Sequence, residues 1–320
     1  MTTDPMILAK MDVAIRAALE EDMPFGDVST MAVMPEPRPG RVQLICKQDG
    51  VVAGLSVFER AFQLIDPAAC VERLVEDGAA VTCGQHLATV HADVRALLEA
   101  ERVALNYLQR MSGVATYTAR IARVLEGTGT RLVCTRKTTP GMRLFEREAV
   151  RLGGGHLHRY GLSDAVMLKD NHIDAAGGVR QAIEAARATA PFVAKVEVEC
   201  ESLDMVREAV DASADIIMLD NMSHDDMAEA VALIGGRAIT EASGNVTAQN
   251  ATGYADLGVD IVSCGALTHS AGILDLSLKH LEVRGGAALR PASSAARRFS
   301  PRCLPPRSRF LAPRWDGPAR

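Results

Sequence analysis

Residues 131–173 read RLVCTRKTTPGMRLFEREAVRLGGGHLHRYGLSDAVMLKDNHI and combine two short apolar runs with a dense set of cations. The runs RLVCT and DAVMLK are rich in β-branched or aliphatic residues, a composition typical of buried strands. Between them Leu144, Ala149 and Leu152 recur with helical spacing among charged residues. The glycines at 153–155 would end that helix. This part of the chain therefore predicts a strand, a helix and a second strand.

Four strong cations lie at or just past the ends of these strands: Arg136, Lys137, Arg159 and Lys169. Burying such groups without partners costs several kcal/mol each. Acids that could neutralise them inside the protein lie on later strands: Glu197, Glu199, Asp220 and Glu241. A cavity with so many charges of both signs is costly to assemble for stability alone. We therefore favour an anionic ligand over an internal ion-pair network.

From residue 131 onward, strands and helices alternate at intervals typical of parallel strands with helical crossovers. The predicted strands are 131–137, 165–169, 193–199, 216–220, 238–242 and 261–264. The predicted helices are 143–152, 178–189, 201–211, 224–234, 247–257 and a last one after Ser270. No GxGxxG motif follows the first strand, so the pattern favours an α/β barrel over a doubly wound dinucleotide-binding sheet.

Nearly every predicted strand ends in residues whose side chains can bind a ligand or take part in catalysis, as in TRK, LKDN, VEVEC, MLDN, EASGN and SCGA. In an α/β barrel the active site forms at the carboxyl ends of the strands, where the loops converge. Lys195, Glu197 and Glu199 alternate with valines, so their side chains would share one face of their strand. The sequence thus predicts that cations and acids from separate strands meet in one cavity.

Two further features of these strand ends suit a phosphorylated, metal-bound ligand. Glu199 and Asp220 end consecutive strands and could hold Mg²⁺ together with substrate oxygens. Ser243-Gly244 and Gly265-Ala266 each precede a predicted helix, where free backbone N–H groups can bind phosphate. Glycines at such turns are as often present for the turn alone.

Two histidines and one arginine could also have purely structural roles. His158 and His172 could bind a metal or an anion, although a histidine satisfied within the core is the more common finding. Arg102 lies on a partly apolar face of a long helix predicted from Val94 to Ser112. A stem packed on apolar neighbours with the guanidinium in water is its simplest interpretation. Upstream, we predict a helix over 7–22, a helix over 58–65 and short strands around them.

Composition narrows the class of protein. Of the 320 residues 48% are hydrophobic, yet no apolar run approaches the roughly 18 residues of a membrane span. The N-terminus lacks the pattern of a secretory signal. Seven scattered cysteines without CxxC spacing indicate reduced thiols, so we expect a cytoplasmic protein. Aromatic residues make up only 4%, which leaves few platforms for stacking nucleic-acid bases.

The C-terminal tail differs from the rest of the chain. Residues 284–320 contain nine arginines and one acid, with many prolines, serines and alanines. This composition is typical of disordered segments. A basic tail can contact nucleic acid or an acidic surface, but we expect no nucleic-acid partner.

The ordered motifs of the chain closely resemble those of the quinolinate phosphoribosyltransferases. They are TRKTTPG, GGGHLHRYGL, MLKDNHI, VEVEC, LDN, EASGN and SCGALTHS, preceded by GDVST near residue 26 and AERVALNYLQRMSG from residue 100. The resemblance covers roughly residues 8–282. Asn245 stands where many relatives have a second glycine, and asparagine tolerates positive φ. The tail after about Val283 matches nothing in the family.

The resemblance implies an α/β protein of two domains, an N-terminal α/β sandwich and an open, roughly seven-stranded α/β barrel. We place the sandwich at 1–115, completed by part of 270–283, and the barrel at 116–270. In this family quinolinate and phosphoribosyl pyrophosphate, with Mg²⁺, yield nicotinate mononucleotide, pyrophosphate and CO₂ for NAD biosynthesis. The implied assembly is a homodimer or higher homo-oligomer without a membrane association.

The resemblance also implies roles for individual residues. Quinolinate would contact Arg136, His158, Arg159 and Lys169, and Arg102 would reach it from the neighbouring subunit. Phosphoribosyl pyrophosphate would contact Lys137 and Lys169, its ribose and Mg²⁺ would contact Glu199 and Asp220, and its phosphate would contact Ser243, Gly244, Gly265 and Ala266. Lys137, Lys169, Glu199 and Asp220 would be the catalytic residues.

Two alternatives remain open at the level of sequence. One is a related phosphoribosyltransferase of the same fold that acts on another substrate, such as nicotinate. The other is a catalytically silent phosphate-binding or nucleotide-binding protein. The arginine set and the LKDNH motif favour a dicarboxylate substrate, and the presence of both acids favours an active enzyme.

Overall fold

The computed structural model describes residues 4–284. Its helices are α1 (Pro5–Asp22), α2 (Val28–Val33), α3 (Leu55–Ile65), α4 (Val94–Val124), α5 (Arg143–Leu152), α6 (Asp170–Ala176), α7 (Val179–Thr189), α8 (Leu203–Asp211), α9 (His224–Ile234), α10 (Ala251–Asp256) and α11 (Ala266–His269). Its strands are β1 (Pro39–Cys46), β2 (Gly50–Val51), β3 (Cys70–Arg73), β4 (Ala80–Val81), β5 (His86–Asp93), β6 (Arg131–Val133), β7 (Val166–Leu168), β8 (Val196–Cys200), β9 (Ile216–Asp220), β10 (Ile239–Ser243), β11 (Ile261–Ser263) and β12 (Leu276–Val283). The predicted basic tail, apart from its first residue Arg284, lies outside the described residues.

The first half of the fold is a four-stranded antiparallel sheet in the order β12-β1-β5-β3. Strand β1 alternates strictly, with Val42, Leu44 and Cys46 buried on one face, the pattern of a sheet with one face in the core. Helices α3 and α4 pack beside it, and Phe58 and Phe62 of α3 meet edge to face with ring centroids 5.1 Å apart. The sheet forms one layer and the helices a second layer packed against it.

The second half is a six-stranded parallel sheet in the order β6-β11-β10-β9-β8-β7. Strands β7 to β11 follow one another without reversal and β6 closes the series, which is the winding of a barrel and not of a doubly wound sheet. At the free edge of β6, His156 forms a one-residue parallel bridge with Val133. The sheet is therefore open, with six strands and a bridge where seven strands were expected, and the predicted fold class is confirmed.

Helix α4 joins the two halves. It runs from Val94 to Val124 and does not end at Ser112 as predicted, because Val114, Ala115 and Ile121 continue its buried face. The domain boundary expected near residue 115 thus falls inside one continuous helix.

The structure corrects several predicted elements. The helix expected after Ser270 is wrong, since residues 276–283 form β12 and pair with β1. Strand 131–137 ends at Val133, because residues 135–137 leave the sheet to line a cavity. Helices α2 and α6 were not predicted; α2 is capped by Asp27, whose carboxylate accepts the Ser29 N–H at 2.9 Å. Within residues 4–284, no helix is both long and apolar enough to span a membrane.

Candidate active site

A cavity of about 750 Å³ opens at the carboxyl ends of the parallel strands. Eleven of the twelve predicted site residues line it: Arg136, Lys137, His158, Arg159, Lys169, Glu199, Asp220, Ser243, Gly244, Gly265 and Ala266. They come from six different strand ends and their loops, the arrangement that the barrel architecture dictates. Their convergence was predicted from sequence because most of them lie just after an apolar run.

Two of the cations in this cavity each have a side-chain nitrogen without a hydrogen-bond partner in the described structure. The Nε atoms of Arg136 and Arg159 are buried and have no hydrogen-bond partner in the described part of the chain. Burial, followed by the nearby charge of Arg136, lowers the pKa of the Arg159 guanidinium from its usual value. The Nη1 atom of Arg159 donates a hydrogen bond to Ala165 O at 3.2 Å. The ion-pair network considered as the alternative therefore does not satisfy these two arginines.

Below these arginines His158 lies between two buried carboxylates. Its Nε2 is 3.4 Å from Glu197 Oε2 and 3.5 Å from Glu241 Oε2. Burial lowers the pKa of His158, but the hydrogen bonds and charges of both glutamates outweigh it and raise that pKa to about 10. The remaining Oε1 atoms of Glu197 and Glu241 are buried without partners among residues 4–284. His158 lines the cavity, and the two glutamates favour its protonated form.

The acids at the ends of β8 and β9 form a second cluster. Carboxylate oxygens of Glu199, Glu201 and Asp220 lie within 4.8 Å of one another, and Lys169 Nζ contacts Glu199 Oε2. Sequence reasoning identified Glu199 and Asp220 but missed Glu201, which directly follows the VEVEC strand. Such a set of oxygen donors suits a hard divalent cation such as Mg²⁺.

At Gly244 and Gly265 the main chain borders the cavity without an intervening side chain. Gly244 has φ +119°, and a Cβ there would lie 2.5 Å from Asn221 Oδ1, so only glycine fits. A Cβ at Gly265 would lie 2.9 Å from Lys137 Cδ. Ser243-Gly244 does not open a helix as expected, since α10 begins only at Ala251. Asn245 has φ +48°, as predicted for its position.

Other candidate residues lie elsewhere. Arg102 is exposed on α4 and does not line the cavity of its own chain. Lys195 is exposed before the start of β8 and does not join Glu197 and Glu199. His172 accepts the backbone N–H of Lys169 at 3.1 Å and so caps α6. Ser263 and His269 line the cavity and were missed, although Ser263 ends a strand as Ser243 does.

The fold and the cavity together define an α/β-barrel protein with a charged binding site at the carboxyl ends of its parallel strands. Sequence models of the quinolinate phosphoribosyltransferase family match residues 27–112 for the N-terminal domain and 114–279 for the C-terminal domain. The chain belongs to the quinolinate phosphoribosyltransferase family.

Individual relatives agree with this placement. The chain is 43% identical over 272 residues to the probable nicotinate-nucleotide pyrophosphorylase [carboxylating] of Synechocystis sp., covering 84% of this chain and 92% of the relative. It is 38% identical to that of Bacillus subtilis, covering 81% and 89%. The crystal structure of NadC from Streptococcus pyogenes superposes with a TM-score of 0.84 at 46% identity, covering 89% of this chain and 100% of that one.

Proposed function

We propose that the protein converts quinolinate and phosphoribosyl pyrophosphate into nicotinate mononucleotide, pyrophosphate and CO₂. One observation carries most of the proposal. Two half-buried arginines, each with a buried Nε atom that lacks a hydrogen-bond partner among the described residues, share a cavity with a carboxylate cluster that suits a metal ion. A doubly anionic pyridine and a phosphorylated sugar would satisfy both sets of groups.

The quinolinate end of the cavity would be formed by Arg136, His158 and Arg159, with Lys169 at its border. Quinolinate carries two carboxylates, and planar guanidinium groups bind carboxylates through two parallel hydrogen bonds. His158 lines the same end of the cavity, with its Nε2 facing Glu197 and Glu241. This arrangement favours a dicarboxylate over nicotinate, which carries only one carboxylate.

The phosphoribosyl pyrophosphate end would be formed by Lys137 and Lys169, with Ser243, Gly244, Gly265 and Ala266 at the phosphate. Glu199 and Asp220 would hold Mg²⁺ together with substrate oxygens, because carboxylates and phosphate oxygens are its preferred ligands. Bound there, Mg²⁺ would neutralise charge on the departing pyrophosphate. The lysines would contribute to the same neutralisation directly.

The residues of the chain would position the two substrates and stabilise the charges that develop during the reaction. The pyridine nitrogen bonds to the ribosyl carbon as the carbon–oxygen bond to pyrophosphate breaks, and positive charge develops on the sugar. Glu199 and Asp220 stabilise that charge, while Lys137 and Lys169 stabilise the leaving group. The ring is then cationic at nitrogen, which favours loss of CO₂ from the adjacent carbon and its replacement by a proton. The protein needs no covalent nucleophile for either step.

We further propose that the protein is a homodimer or higher homo-oligomer whose active site receives Arg102 from the neighbouring subunit. Arg102 is exposed and outside the cavity of its own chain, as a residue that serves another chain should be. We also propose the domain division at about residue 115 and a cytoplasmic location. The buried cysteines Cys46, Cys134, Cys200 and Cys264 are thiols and not disulfides, which supports a reducing compartment.

A spectrophotometric assay tests the proposed activity. Purified protein with Mg²⁺ and phosphoribosyl pyrophosphate is offered quinolinate in one reaction and nicotinate in another. We expect nicotinate mononucleotide and CO₂ from quinolinate, and little product from nicotinate. Turnover of nicotinate alone would identify a related transferase, and a folded protein inert to both would refute the proposal.

A further inference from the structure

A buried ion pair lies behind the cavity, where α4 meets α5. Arg110 donates from Nη2 and Nε to Glu146 Oε1, at 2.7 Å and 3.0 Å. The side chain of Glu146 is fully buried, whereas that of Arg110 is 23% exposed. Buried ion pairs contribute little net stability, because desolvation offsets their attraction. Their geometry, however, is strongly specified.

Glu146 also holds the loop that follows Lys137. Thr139 donates its backbone N–H to Glu146 Oε2 at 3.0 Å and its hydroxyl to Oε1 at 2.8 Å. A single carboxylate thus accepts hydrogen bonds from both α4 and this loop. The loop begins two residues after Lys137, so its position limits where Lys137 can lie.

Arg110 also contacts the segment that follows the neighbouring strand β11. Its Nη1 donates to Ala271 O at 2.7 Å, and its Nη2 contacts Thr268 O. The buried hydroxyl of Thr268 lies 2.7 Å from Lys137 O and 3.1 Å from Gly265 O. The stem of Lys137 in turn lies against bare Gly265. A continuous set of contacts therefore runs from the ion pair to two cavity-lining positions.

We propose that Arg110, Glu146 and Thr268 are positioning residues that fix Lys137 and the Gly265 turn for phosphoribosyl pyrophosphate, an inference that rests on the proposed function. None of the three lines the cavity, so each acts through the residues it holds. Small displacements of a binding group are costly, because the site must be preorganised to within a fraction of an ångström.

Thr268 offers the sharpest test. Thr268→Val keeps the shape of the side chain but removes the hydroxyl contact with Lys137, and Thr268→Ser keeps the hydroxyl. Calorimetry with phosphoribosyl pyrophosphate and Mg²⁺ measures binding without requiring turnover. We expect Thr268→Val to weaken this binding about tenfold, and Thr268→Ser to recover most of the affinity. Asp204→Asn, in an exposed ion pair with Arg207 on α8, serves as the matched control and should bind as wild type does.

Kinetics separates positioning from a loss of folding. The KM for phosphoribosyl pyrophosphate should rise in Thr268→Val and Glu146→Gln, while the KM for quinolinate and the far-UV circular dichroism stay near wild type. Unchanged binding in Thr268→Val, or equal rises in both KM values, would overturn the inference. If the wild type binds phosphoribosyl pyrophosphate but leaves quinolinate unchanged, the proposed function is wrong. The comparison of binding between wild type and Thr268→Val still tests the positioning role.

Discussion

Four of the arginines between residues 136 and 159 form two pairs with different surroundings. Arg143 and Arg147 donate to backbone carbonyls, Arg143 to Tyr160 O at 3.1 Å and Arg147 to His158 O at 2.8 Å. They hold the segment that carries His158 and Arg159. Arg136 and Arg159, by contrast, keep buried Nε atoms without partners in the described structure. The first pair builds the site and the second pair is left for a ligand.

Replacing Arg136 or Arg159 by alanine should weaken quinolinate binding more than any other property. A hydrogen bond to a charged group contributes about 1.5–3 kcal/mol, so we expect the KM for quinolinate to rise at least tenfold. The KM for phosphoribosyl pyrophosphate should change much less. Steady-state kinetics with each substrate varied in turn measures both, and exposed Arg207→Ala is the control. Equal effects on both substrates would contradict the assignment.

The charge of His158 predicts a dependence of stability on pH. Its pKa rises from 6.5 to about 10 on folding, because Glu197 and Glu241 outweigh the effect of burial. The folded state then binds more protons, so this contribution is full below pH 6.5 and is lost as pH rises toward 10. The difference in unfolding free energy between wild type and His158→Asn should shrink over that window. Urea denaturation at several pH values measures it, and parallel curves would refute the charged imidazole.

At the scale of elements, local patterns predicted the sequence of strands and helices better than their ends. Helices α5 and α9 begin and end where predicted, since their apolar spacing is complete within each segment. Strand β12 could not be predicted locally, because its partner β1 lies more than 200 residues earlier in the chain. Alternating Leu276 and Leu278 carry a strand signal, but only the pairing with β1 gives them a buried face.

Helix α4 provides a test of close packing between elements. A Cβ at Gly113 would lie 2.0 Å from Gly272 O and 2.7 Å from Ile273 Cα, both backbone atoms. Replacing a helical glycine by alanine usually gains up to about 1 kcal/mol. Here we expect Gly113→Ala to destabilise the fold by about 1–3 kcal/mol, because overpacking outweighs that gain.

The control for this substitution is Gly253→Ala in α10. The nearest atom to a Cβ there is His224 Nε2 at 3.9 Å, so space is available. Urea unfolding should show no loss, or a gain of up to about 1 kcal/mol. Loss of stability in both variants would mean that packing at Gly113 is not the cause.

For the whole molecule, the sequence predicted the cavity because parallel strands must present their carboxyl ends on the same side. It could not predict how the charges divide within the cavity. Glu241 was considered as a partner for the cations in general, and the structure places it specifically beside His158. Lys195 fits the alternation of its strand in sequence, yet it lies before β8 and outside the cavity. Such outcomes depend on where a strand begins, which a pattern of two-residue period does not fix.

The position of Arg102 leads to the last prediction, which concerns two copies of the chain. If the site takes Arg102 from one subunit and Lys137 from the other, Arg102→Ala and Lys137→Ala should each be inactive as homodimers. A mixed dimer then contains one site with both residues intact and one with neither. Because an equal mixture of exchanging subunits forms mixed dimers half of the time, about a quarter of wild-type activity should return. An unmixed pair of preparations is the control. If mixing restores nothing while size-exclusion chromatography shows that subunits have exchanged, Arg102 does not act across the interface.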